Sequence, residues 1–81
     1  MSGRDEVDRR VREIMAVVLK RPIGPGESVA RERERAWDSL RHVELVFSIE
    51  DEFGVTFDEE ELAGLTSLDG FVDAITRRLA A

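Results

Sequence analysis

Ser39 and His42 lie three residues apart in "AWDSLRHVEL", directly after Asp38. On a helix, that spacing brings a hydroxyl and an imidazole to one face. A nucleophilic serine needs more: an oriented base and an oxyanion hole within a pocket. A chain of 81 residues that must spend its apolar side chains on a core has little room for one. His42 therefore reads as a solvated helix residue, and no catalytic residue is assigned. A second group, Asp58 to Glu61, gathers four carboxylates. It lacks the alternating oxygen ligands and central glycine of a calcium loop. It reads as the acid-rich start of a helix, and no metal ligand is assigned. A third chemistry uses Ser39 as an attachment point. A helix N-terminus presents free N–H groups and positive dipole character, which suit a phosphate ester. In isolation, Ser39 reads as an ordinary N-cap serine.

The elements that must position these residues are helices. Val7, Val11, Ile14 and Val18, widened by Met15 and Leu19, form a stripe that predicts a first helix over about 5–20. Pro22 ends it. A long connector follows over 21–38, with "PIGPG" as turn chemistry and "RERER" as a solvated charged run. Val29 and Trp37 are its candidates for packing on the core. The second helix is expected over 39–53, capped by Asp38 or Ser39 and closed by Gly54. Leu40, Val43, Val46 and Phe47 form its apolar stripe, extended by Ile49 and Phe53. A short helix over 58–64 follows, with Asp58 as N-cap. A last helix spans 67–79, opened by Thr66 or Ser67, with Thr66 and Asp69 resembling a capping box and Leu68, Phe71, Val72, Ile75 and Leu79 on one face. No strand alternation is evident. Three longer helices and a short one imply an all-α, four-helix bundle forming one domain over 1–81.

Composition narrows the function. The net charge of −6 is unevenly spread: residues 1–37 carry nine basic and seven acidic groups, residues 38–81 three basic and eleven acidic. The acidic half argues against nucleic acid, whose phosphates need clustered Lys and Arg. It favours basic protein surfaces. There is no cysteine, which excludes disulfides and thiolate metal sites and agrees with a cytoplasmic setting. No apolar run approaches the about 18 residues of a membrane span, and the first ten residues are too polar for a signal peptide. A monomer is expected.

Four strings occur in order: Asp38-Ser39-Leu40, Val43-Glu44-Leu45, Glu50-Asp51-Glu52-Phe53-Gly54 and Asp58-Glu59-Glu60. Over 38–75 the chain resembles the acyl carrier proteins. The resemblance implies that Ser39 takes a 4′-phosphopantetheine arm from coenzyme A, transferred by a Mg²⁺-dependent phosphopantetheinyl transferase. Asp38 and Leu40 flank it. The arm's thiol would hold acyl or aminoacyl groups as thioesters, and loading and downstream synthase or modifying enzymes would be the partners. The carrier itself would catalyse nothing. The resemblance also implies that the second helix docks on partners. Glu44, Glu50 and Asp51 are its acidic candidates, and Trp37, Arg41 and His42 are candidates for partner choice.

Arg41 stands where carriers of fatty acid synthesis usually have an acid or glycine. That departure points to a freestanding carrier of a specialised pathway, polyketide or nonribosomal peptide among them. An aminoacyl or peptidyl carrier is an alternative, though the usual Gly-Gly-x-Ser is absent; a D-alanyl carrier is another. A non-carrier interaction module with Ser39 unmodified is a further reading. A biotin- or lipoyl-type carrier is set aside, because the one lysine, Lys20, sits at a helix end.

Overall fold

A computed structural model describes residues 3–80; Met1, Ser2 and Ala81 of the expected 1–81 domain lie outside the described residues. The fold is the expected all-α bundle: α1 (Gly3–Leu19), α2 (Ser39–Phe53), the short α3 (Glu59–Gly64) and α4 (Leu68–Ala80). A single 3₁₀ turn, Arg31–Arg33, breaks the connector. Helix α1 packs on α4 and on α2. The core between them is built from Val11, Met15, Leu45, Ile49, Leu68, Phe71, Val72 and Ile75, all fully buried.

Helix α1 starts earlier and stops sooner than expected. Lys20 adopts a left-handed conformation, φ 58°, and the Arg21 N–H donates to the Ala16 carbonyl at 3.1 Å. This is a Schellman-type stop with lysine where glycine is usual. The chain therefore turns before Pro22 can intervene. Helix α2 ends the same way with the expected residue. Gly54 has φ 66°, and its N–H donates to Glu50 O at 2.9 Å. There the missing Cβ removes the cost of the left-handed turn.

The core face of α2 differs from the expected stripe. Leu45, Val46 and Ile49 turn inward, whereas Leu40, Val43 and Phe47 are 63%, 50% and 66% exposed. Apolar residues lie on two adjoining faces of this helix, so periodicity could not choose the buried one. Leu79, expected on the inner face of α4, is exposed as well. At the start of α4, Ser67, of the two expected openers, is the cap: its Oγ accepts from the Gly70 N–H at 2.9 Å. At α3 the expected cap forms in full. Asp58 accepts from the Glu61 N–H at 2.8 Å, and Glu61 accepts from the Asp58 N–H at 3.2 Å. The four carboxylates of 58–61 thus open a helix, and two of them close a capping box.

The connector is more ordered than a solvated charged run. Arg12 of α1 donates to the carbonyls of Gly24 (2.9 Å) and Glu27 (2.6 Å). Arg21 pairs with Glu27 at 2.7 Å and Glu34 at 2.9 Å. Val29 and Trp37 are buried, as expected. Between them, the connector runs beside the start of α4. Arg31 N–H donates to Thr66 O, and Leu68 N–H to Val29 O, each at 2.9 Å; Ala30 and Ser67 form an antiparallel bridge. Nothing in the sequence pattern announced this two-residue sheet-like seam.

The two faces of α2 give a direct test. Leu45→Ala should cost about 2–5 kcal/mol of unfolding free energy, and Leu40→Ala no more than about 0.5 kcal/mol, measured by urea denaturation. Equal losses would contradict the assignment of the buried face.

Candidate functional site

Ser39 is the first residue of α2, and it is exposed. Of the two candidate caps, Asp38 does the work: its Oδ1 accepts from the Arg41 N–H at 2.9 Å. Ser39 is thereby free of a capping duty. The first N–H groups of a helix have no intrahelical acceptor, so Ser39 Oγ sits beside unsatisfied donors and the positive end of α2. Arg31 reaches the same place from the 3₁₀ turn, with Nη2 3.4 Å from Ser39 Oγ.

What holds the start of α2 is Trp37. The indole is 2% exposed and stacks on Phe71 with ring centroids 6.1 Å apart. Its Nε1–H donates to His42 Nδ1 at 3.1 Å. Trp37, a candidate for partner choice, therefore offers a partner no surface of its own. His42 is not the solvated residue expected. It is half-buried, lies over Trp37 (6.1 Å between centroids) and faces Phe71. Because Nδ1 accepts, the single proton of the neutral ring sits on Nε2. Burial holds the His42 pKa below its ordinary value, the Arg31 charge pushes it the same way, and a hydrogen bond with the Leu62 backbone opposes them. With its nitrogens so engaged, His42 orients Trp37 rather than Ser39.

Other candidates separate by the work they do. Arg41 pairs with Glu44 at 2.7 Å, which locally offsets both charges. Glu50 is partly buried, and its Oε2 accepts from the Phe57 N–H at 2.8 Å. It closes the link after α2, a structural task the sequence did not suggest. Asp51 is exposed. Leu40 flanks Ser39 and begins the exposed row Leu40, Val43, Phe47. The residue missed by sequence reading is Arg31, read as one of a solvated run. Its approach to Ser39 depends on the seam between 29–31 and 66–68, which has no short-range signal.

The protein family described as "Phosphopantetheine attachment site" matches residues 9–75. The chain is also 36% identical over 76 residues to the protein named "Acyl carrier protein 3" of Ralstonia nicotianae, spanning 89% of this chain and 84% of that one. The chain belongs to the acyl carrier protein family. Members of this family are carriers rather than catalysts, and their prosthetic group is a covalently attached phosphopantetheine. An exposed serine hydroxyl at a helix N-terminus, with a guanidinium beside it, fits the phosphate of that group. Among the described residues, no helix is long and apolar enough to cross a membrane.

The state of His42 sets a pH dependence. Its folded pKa lies below the ordinary 6.5. As pH falls through 6.5, the unfolded chain takes up a proton that the fold resists. The contribution of neutral His42 to stability is therefore complete above about pH 6.5 and lost progressively below it. The difference in unfolding free energy between the carrier and its His42→Gln variant should be flat above pH 6.5 and shrink as pH falls. A difference that grows on acidification would contradict the lowered pKa.

Proposed function

We propose that Ser39 is the residue that receives phosphopantetheine, and that the protein is a carrier of acyl or aminoacyl intermediates in a specialised biosynthetic pathway. The observation that carries the first part is the contrast among serines in the family-matched span. Ser67 Oγ is committed to the Gly70 N–H, Ser48 is half-buried within α2, and Ser28 lies in the connector. Ser39 alone among these is both exposed and at the first turn of a long helix. The second part is supported by the Trp37, Arg41 and His42 setting, unlike that of typical fatty acid carriers.

In the modification, Ser39 Oγ attacks the pantetheine-bearing phosphorus of coenzyme A. The new phosphorus–oxygen bond forms as the bond to adenosine 3′,5′-bisphosphate breaks, and the transferase supplies Mg²⁺ and the base that takes the serine proton. When bound, the prosthetic group supplies the thiol that holds cargo as a thioester. The protein's own part is positional. Asp38 fixes the helix start, Trp37 and His42 lock the approach to it, and the α2 N-terminus with Arg31 faces the added negative charge.

The exposed row Leu40, Val43 and Phe47, flanked by Glu44 and Asp51, suits a transferase or synthase surface lined with Lys and Arg. Glu50, held by the Phe57 N–H, is the least suited of the three acids to reach a partner.

Two measurements test this reading. Incubation with coenzyme A and a broad-specificity transferase should add one phosphopantetheine by intact mass, and Ser39→Ala should abolish the gain. A gain that survives the substitution would move the attachment elsewhere. Paired substitution Glu44→Lys and Asp51→Lys should lower transferase kcat/KM by about tenfold at low salt, with the deficit narrowing as salt rises. Unchanged kinetics at low salt would remove α2 from the docking surface.

A further inference from the structure

Arg31 differs from the other well-anchored arginines of the connector and its neighbours. Arg12 is on Asp8, Arg21 on Glu27 and Glu34, and Arg41 on Glu44. Among the described residues no ion pair reaches Arg31; its guanidinium meets the neutral hydroxyl of Ser39. It is also not free to wander at its root. Its own backbone N–H is tied to Thr66 O, and the residues on either side of the seam are bonded to 66–68. A fixed cation without a counter-charge, aimed at the hydroxyl that is to become a phosphodiester, is suited to that product more than to the serine itself. A guanidinium bonds phosphate oxygens with charge assistance, which a neutral hydroxyl cannot match.

Beside this contact lies a cleft of about 600 Å³ lined by Ala30, Arg31, Glu32, Trp37, Thr66 and Ser67, a size within the range of small-molecule sites. We propose that Arg31 is the counter-ion of the phosphodiester made at Ser39, and that this pairing directs the pantetheine arm into the cleft between the 3₁₀ turn and the start of α4. The inference rests on Ser39 being the attachment residue. The lining fits the arm's chemistry. The Ala30 methyl suits its geminal methyl groups, and the exposed Thr66 hydroxyl and the Glu32 carboxylate can accept from its hydroxyl and amide N–H groups. The groove on the other flank of α2, about 330 Å³, is lined by His42, Val43, Phe47 and Leu62 and also contains Glu50, with no cation to hold a phosphate.

The test uses isotope-labelled protein converted with unlabelled coenzyme A and a transferase, with conversion followed by intact mass. In the modified wild type, the Arg31 Nε–Hε resonance should shift, and isotope-filtered NOEs should connect the arm's geminal methyls to Ala30 and Thr66. Arg31→Gln should lose those NOEs; Arg31→Lys, which keeps the charge, and Arg33→Gln, two positions along the same turn, should retain them. NOEs to Val43, Phe47 or Leu62 instead, no NOEs at all, or NOEs undiminished in Arg31→Gln would each overturn the proposal. If Arg31→Gln does not fold, the wild-type NOE pattern and the Arg31 Nε–Hε shift decide alone. Absence of the mass gain at Ser39 would remove the attachment reading, and this inference with it; a gain without the contacts removes this inference only.

Discussion

The burial of Trp37 is the constraint on which the arrangement around Ser39 depends. The indole fills the space against Phe71 and gives its N–H to His42 Nδ1. That satisfies the polar atom that a buried tryptophan would otherwise strand. A connector of this length has many ways to close, each of similar loop entropy. One large side chain sunk two positions before Ser39 selects among them. It sets where the chain stops wandering and where α2 can begin. His42 is recruited to complete the same contact from inside α2, so the loop and the helix share one hydrogen bond.

The helices were legible because their signals are local. Caps at Asp38 and Asp58, the glycine after α2 and the apolar steps of α1 are each carried by residues within a turn or two of one another. What escaped is long-range. His42 looked solvated because its partner, Trp37, belongs to the preceding loop. Glu50 looked like a surface acid because the N–H it binds belongs to Phe57. The inner face of α2 was misjudged because that helix has apolar residues all along two neighbouring faces. A helix that leaves an apolar row such as Leu40, Val43 and Phe47 in solvent carries this ambiguity by its nature. The reading of Ser39 as an attachment point came only through the motif around it, and the approach of Arg31 had no signal at all.

The charge asymmetry also reads differently in three dimensions. The basic half of the chain is largely turned inward upon itself and its neighbours. Arg12 and Arg21 tie down the connector, and Arg10 binds Glu52 while its guanidinium lies 4.6 Å from the Phe53 ring centroid. Arg4 and Arg78 hold Asp73 and Glu61 across helices. These exposed pairs are individually weak. Their combined effect is to commit cations to internal geometry, leaving acids such as Asp51, Glu59 and Glu60 exposed. The outer field is therefore more acidic near the helices that follow Ser39 than the even mixture of residue types in the first half would suggest.

The chain has one tryptophan and no tyrosine. Its near-ultraviolet emission therefore originates at Trp37 alone, the residue that locks the loop onto the start of α2. The fold has placed an optical probe in the wall of the cleft next to Ser39, in contact with a titrating imidazole on one side and a phenyl ring on the other. Events at this end of the bundle can be followed in the unlabelled protein by the colour and intensity of a single chromophore.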